Sequence, residues 1–146
     1  MYLDSSVMMK LFASEPDSDF FVELTDGENI SPSILAFTEV YSALLIKERT
    51  GRLTAAERRR AWGSFEEKVE EGTLHLAPFH EAIFRKANRI MEQCNPKVAL
   101  RSLNALHLAT CDQLQDWPLC TTDVRMRQAA ELLLVSIERN AARVNS

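Results

Sequence analysis

At 146 residues, with 46% hydrophobic and 26% charged residues, the chain is long enough for one domain with a real core. No apolar run approaches the ~18 residues of a membrane-spanning helix, and there is no repeat, low-complexity tract or obvious linker. The net charge of −4, taken alone, weighs against nucleic-acid binding, which draws on Lys and Arg.

The opening Met1-Tyr2-Leu3-Asp4 lacks a basic n-region, so no secretion signal is expected. The three cysteines, Cys94, Cys111 and Cys120, are odd in number and include no Cys-x-x-Cys pair. Neither a disulfide framework nor a zinc site is expected, and a reducing cytoplasm fits best.

In chain order, Tyr2-Leu3 reads as a short N-terminal strand ending at Asp4, followed by a tight turn over Asp4-Ser5-Ser6 and a short helix from Val7 to Ala13. Glu15-Pro16 breaks that helix. The next begins at Asp17 or Ser18, with Phe20, Phe21 and Leu24 on its apolar side, and ends at Asp26-Gly27. Ile30 lies in a second short strand. Ser31-Pro32-Ser33 opens a long helix, with Leu35, Ala36, Val40, Ala43 and Leu44 on one face, closed by Gly51.

Thr54-Ala55-Ala56-Glu57 is a capping box that starts a helix striped with Ala61, Trp62, Phe65 and Val69 and stopped by Gly72. Thr73 to Leu76 alternates as a third strand. His80 to Cys94 is helical, with Ile83, Ala87, Ile90, Met91 and Cys94 inward. Ser102 to Leu114 is the next helix, its inward stripe read as Leu103, Leu106, Thr110 and Leu114. Leu119-Cys120-Thr121 makes a fourth strand, Asp123 to Leu132 a helix, and Leu134 to Ile137 a last strand. Strands alternating with helices predict an α/β domain spanning 1–146, with a parallel sheet of about five strands and helices on both faces.

In such a sheet ligands bind beyond the carboxyl ends of the strands, where the strand order reverses. Asp4 follows the first strand and Asp123 the fourth. If those strands are neighbours, both carboxylates face one crevice and offer a hard cation the oxygen ligands it prefers. Both also precede helices, where Asp is a favoured N-cap. Glu39 is an acid early in a largely apolar helix, near a positive helix end or at a pocket wall. Asn104 and His107 lie one turn apart on another helix and can point the same way. His107 in its apolar run reads first as a hydrogen-bonded core histidine. From Lys47 to Arg60 there are six basic residues against two acids, either a solvated helix face or a basic lip beside an acidic pocket.

Four stretches together resemble a PIN domain of the VapC toxin group: Tyr2-Leu3-Asp4-Ser5-Ser6, Phe37 to Leu44, Leu100 to Ala109, and Thr121-Thr122-Asp123. Their order, spacing and the total length all fit. The resemblance implies a five-stranded parallel sheet, a homodimer, and a Mg²⁺- or Mn²⁺-dependent endoribonuclease restrained by a cognate antitoxin. By motif position the family's acidic residues fall on Asp4, Glu39, Asn104 and Asp123, so Asn104 stands where the family has Asp. Asp4, Asp123 and Glu39 are then the expected metal ligands, with Ser6 supporting the first acid. Arg101 and Arg58, Arg59 and Arg60 are candidates for holding RNA phosphates. Asn104 also leaves room for an alternative: a PIN-fold module that binds RNA or protein with little or no catalysis.

Overall fold

A computed structural model describes residues 1–135. The elements run β1 (Tyr2–Leu3), α1 (Ser5–Phe12), α2 (Ser18–Thr25), α3 (Leu35–Arg49), α4 (Ala55–Glu70), α5 (Glu81–Cys94), α6 (Ser102–Leu114), β2 (Leu119–Cys120) and α7 (Val124–Leu132). The protein is an α/β fold. β1 and β2 pair in parallel, Tyr2 opposite Leu119 and Leu3 opposite Cys120.

Two further stretches continue the hydrogen bonding on the other side of β1. Ser31 N–H donates to Met1 O at 3.0 Å, and Ala77 N–H donates to Pro32 O at 2.8 Å, beside a parallel bridge between Ser33 and Ala77. The spatial order is therefore the Ala77 segment, the Ser31–Ser33 segment, β1, then β2. Chain order reverses between β1 and β2, which makes their carboxyl ends the crevice of the sheet.

Side chains alternate across a strand, and two layers follow from that. Tyr2 and Leu119 enter the core formed with α5, α6 and α7, including Ile83, Ala109 and Met126. Leu3 and Cys120 enter the opposite core, formed with α1 to α4, including Val7, Phe21, Val40 and Phe65. Leu3 and Val7 are both fully buried. Each such side chain is worth about 1.5–3 kcal/mol over exposure, so two-residue strands are held mainly by what packs on them.

Helix ends agree with their local chemistry. Thr54 and Glu57 form the expected capping box on α4, and Gly51, just beyond α3, takes φ 71°, a conformation cheap only for glycine.

Several expectations need correction. No turn separates β1 from α1: Asp4 itself caps the helix, which starts at Ser5. Ile30 and Thr73–Leu76 are not strands, and pairing there is limited to the neighbourhood of Ser33 and Ala77. Pro32, with no N–H, contributes only its carbonyl to a ladder. Leu103 and Leu114 are 43% exposed, so the inward face of α6 is instead the buried run Ala105 to Cys111. The expected last strand does not start at Leu134, whose φ of 58° is left-handed and whose side chain is 92% exposed. Its remainder, through Ile137, lies outside the described residues.

Candidate active site

Asp4 is the hub of the β1–β2 crevice, 3% exposed. Its Oδ1 accepts from Ser6 Oγ at 2.6 Å and from the Val7 amide at 3.1 Å, the latter being the cap of α1. Its Oδ2 accepts from Thr121 Oγ at 2.5 Å. Burial lifts the Asp4 carboxyl above the usual carboxylate range, against the pull of His107 and of these three donors.

The same turn of α1 reaches a second acid. Ser5 Oγ donates to Glu39 Oε2 at 2.5 Å, while its neighbour Ser6 serves Asp4. Adjacent serines at one helix start thus hold one carboxylate each. His107 Nε2 also lies 2.8 Å from Glu39 Oε2, and its Nδ1 lies 2.8 Å from the Tyr2 hydroxyl. Burial alone would raise Glu39, but His107, with Ser5, holds it below the usual range.

Asp123 enters from β2. Its Oδ1 accepts from the Met126 amide at 2.8 Å and caps α7, and its own amide donates to Thr121 Oγ at 3.0 Å. The capping role anticipated for Asp4 and Asp123 is therefore real for both, and it coexists with their meeting at one edge of the sheet. Thr122 joins the same corner through Ser6 Oγ, at 2.9 Å.

Asn104 is half-buried in the first turn of α6, one turn before His107. Its amide has no hydrogen-bond partner among the described residues.

An open groove of ≈ 580 Å³ runs from this corner between α1 and α3. Glu39, Ala43, Ile46 and Lys47 line it from one face of α3, Thr50 from just past its end, and Ser5, Ser6, Met9 and Lys10 from α1. Arg52 stands at its far end. Lys10 is bound by Glu15 at 2.8 Å and Asp17 at 2.6 Å, and Lys47 by Glu15 at 2.5 Å. Arg58, Arg59, Arg60 and Arg101 do not line the groove. Arg58 pairs with Glu48 and lies over the Tyr41 ring, while Arg59, Arg60 and Arg101 are exposed.

The donors fit a hard divalent cation in kind: three carboxylates, hydroxyls and an amide oxygen, with no thiol or free imidazole among them. The groups that hydrogen-bond the buried Asp4 carboxyl are Ser6, Thr121 and the Val7 amide, so its ionised form is one that a cation would offset. Among the described residues, no three acidic, histidine or cysteine side chains are grouped closely enough to enclose an ion by themselves.

Sequence reasoning missed Thr121, Ser5 and the Tyr2–His107–Glu39 chain. Thr121 and Ser5 carried a faint signal, being small hydroxyl residues beside Asp123 and Asp4.

Helices on both faces of a parallel sheet, with acids at the β1–β2 switch point, define a PIN domain. Residues 1–132 match the PIN domain, and the chain belongs to that family. It is also 35% identical to Ribonuclease VapC46 of Mycobacterium tuberculosis, over 94% of this chain and 95% of that protein. The family drawn from four short motifs is thereby borne out.

Proposed function

We propose that this protein is a divalent-metal-dependent endoribonuclease, the toxin of a toxin–antitoxin pair, working in the cytoplasm as a homodimer restrained by a cognate antitoxin. One observation carries the reading: Asp4 and Glu39 are set by adjacent serines of α1 at the point where strand order reverses, with Asp123 tied to Asp4 through Thr121. Membership of the PIN family and likeness to a protein named as a ribonuclease give the substrate class.

Asp4, Asp123 and Glu39 would hold Mg²⁺ or Mn²⁺. When bound, such an ion polarises a phosphodiester and makes water a better nucleophile at neutral pH. The chain's own residues do the rest. Ser6, Thr121 and the Val7 amide fix Asp4. Glu39, held below the usual carboxylate range, stays ionised at neutral pH and can accept a proton or orient water at the groove mouth. Lys47 and Arg52, farther along the groove, meet the phosphates of a strand laid in it. Asn104 supplies a dipole where Asp would supply a charge.

The deciding experiment is cleavage of a single-stranded RNA pool with Mg²⁺ or Mn²⁺, against EDTA, for the wild type, Asp4→Asn and Glu39→Gln. Cleavage lost in EDTA and in both variants supports the reading. Cleavage that persists in EDTA would sink it. A second reading, a binding module of little catalytic power, draws on Asn104 and on the open spacing of the acids. RNA binding without cleavage at any metal concentration would favour it.

A further inference from the structure

We infer that His107 is a positioning residue for Glu39, locked in one tautomer by the buried Tyr2 hydroxyl so that Glu39 Oε1 is left open toward the groove. The inference rests on the active-site reading above. His107 is 2% exposed and Tyr2 fully buried, so neither touches a substrate. They act through geometry.

The tautomer follows from counting donors. A carboxylate oxygen only accepts, so the His107 nitrogen that faces Glu39 carries the ring proton. In the neutral ring the other nitrogen, Nδ1, is then bare and accepts from the Tyr2 hydroxyl 2.8 Å away. The proton sits on Nε2, which donates to Glu39 Oε2 at 2.8 Å. Ser5 donates to that same oxygen at 2.5 Å. Both described donors thus converge on Oε2, and Oε1 has no hydrogen-bond partner among the described residues.

A carboxylate turns about its last bond unless something stops it. Two donors on one oxygen, one a rigid ring held edge-on to Tyr2 at 71°, stop it. The free oxygen then stands ready for a cation or water, the task that outer-shell partners perform for metal ligands. Any buried histidine needs partners for its ring nitrogens, and here one of them is an acid at the crevice, so the bond that satisfies the ring also fixes the carboxylate.

The test uses Mn²⁺ as the probe, by calorimetry and by electron paramagnetic resonance, alongside RNA cleavage. His107→Leu should weaken Mn²⁺ binding about 10–100-fold, the usual cost of losing an outer-shell partner. It should lower kcat while leaving KM for RNA within about twofold. His107→Gln, which keeps a donor toward Glu39, should recover a part of both. Tyr2→Phe removes one oxygen and keeps the core shape, so it carries the test if His107→Leu does not fold. In the metal-free wild type, ¹⁵N NMR should show His107 protonated at Nε2 alone, and Tyr2→Phe should give a tautomer mixture.

An Nδ1-protonated ring in the wild type overturns the inference. So does unchanged Mn²⁺ affinity in folded His107→Leu or Tyr2→Phe. The tautomer and Mn²⁺ readouts need no RNA, so they stand even if the protein cleaves none; absence of cleavage alone counts against the ribonuclease reading.

Discussion

Thr121 donates its hydroxyl to Asp4 Oδ2 at 2.5 Å while accepting the Asp123 amide at 3.0 Å, so one fully buried side chain joins the ends of two strands. Thr121→Val keeps the shape and removes both bonds, leaving a buried carboxylate oxygen and an amide unpaired. The expected loss is about 1–3 kcal/mol in metal-free chemical denaturation, with Thr121→Ser retaining most of the stability. A Val variant as stable as the wild type would mean that Asp4 gains little from this contact.

Asp123 both caps α7 and borders the crevice, and the two roles separate by substitution. Asn caps about as well as Asp but carries no charge. Asp123→Asn should therefore keep thermal stability within a few tenths of a kcal/mol while cutting cleavage and cation affinity. Asp123→Ala should lose about 1 kcal/mol as well. If Asp123→Asn cleaves RNA like the wild type, the residue is a cap and nothing more.

Lys10 and Glu15, paired with each other and with Asp17 and Lys47, make stability depend on pH at both ends of the range. Burial would raise Glu15, but Lys10 and Lys47 hold it below its ordinary 4.5. Its contribution is complete above 4.5 and disappears as pH falls through the lower folded value. Burial would lower Lys10, but Asp17 and Glu15 hold it above 10.5. That contribution is complete below 10.5 and is lost as pH rises through the folded value. Asp4 has the opposite sense to Glu15: raised above 3.8 by burial, it costs stability progressively as pH climbs from there to its folded value. Urea midpoints against pH should show a flatter acid limb for Glu15→Gln. For metal-free Asp4→Asn, stability relative to the wild type should improve as pH rises above 3.8.

Asn104→Asp adds a charge at a half-buried site one turn from His107. It should tighten Mn²⁺ binding, raise RNA cleavage and lower metal-free thermal stability, all through carboxylate repulsion that a cation relieves. Equal Mn²⁺ affinity in both forms would place this position beyond the ion's reach.

Arg58 and its two neighbours should part company. Arg58 pairs with Glu48 and stacks on Tyr41, so Arg58→Ala should cost about 0.5–1 kcal/mol of stability. Arg59→Ala and Arg60→Ala, on exposed side chains, should stay within about 0.5 kcal/mol of the wild type. If these two hold RNA outside the groove, their double variant will flatten the salt dependence of binding. An unchanged slope assigns that task to Lys47 and Arg52.

Helices were legible because their signals are local. The Thr54–Glu57 box, Gly51 and the Ile83–Ala87–Ile90–Cys94 stripe are each read within a few residues and recur in the structure. Strands were legible in part: the short runs at Tyr2-Leu3 and Leu119-Cys120 recur as β1 and β2, while those at Ile30 and Thr73–Leu76 do not, because runs so short display no reliable period. α6 misled because it is buried along Ala105 to Cys111, which leaves no clean polar face to orient Leu103. At the site, the positions of Asp4, Glu39, Asn104 and Asp123 came from motif spacing. What joins them did not: Glu39 and His107 are 68 positions apart, and Tyr2 and His107 are 105. No local pattern records such a contact.

Asp4 and Thr121 are separated by 117 positions. A nascent chain thus makes its first acid almost at once but must wait for nearly the whole domain before β2 can lie beside β1. Contacts of such long range are closed late and slowly in folding. A ribosome-bound or prematurely terminated fragment that stops short of Thr121 would carry Asp4 and Glu39 but lack the corner that holds them.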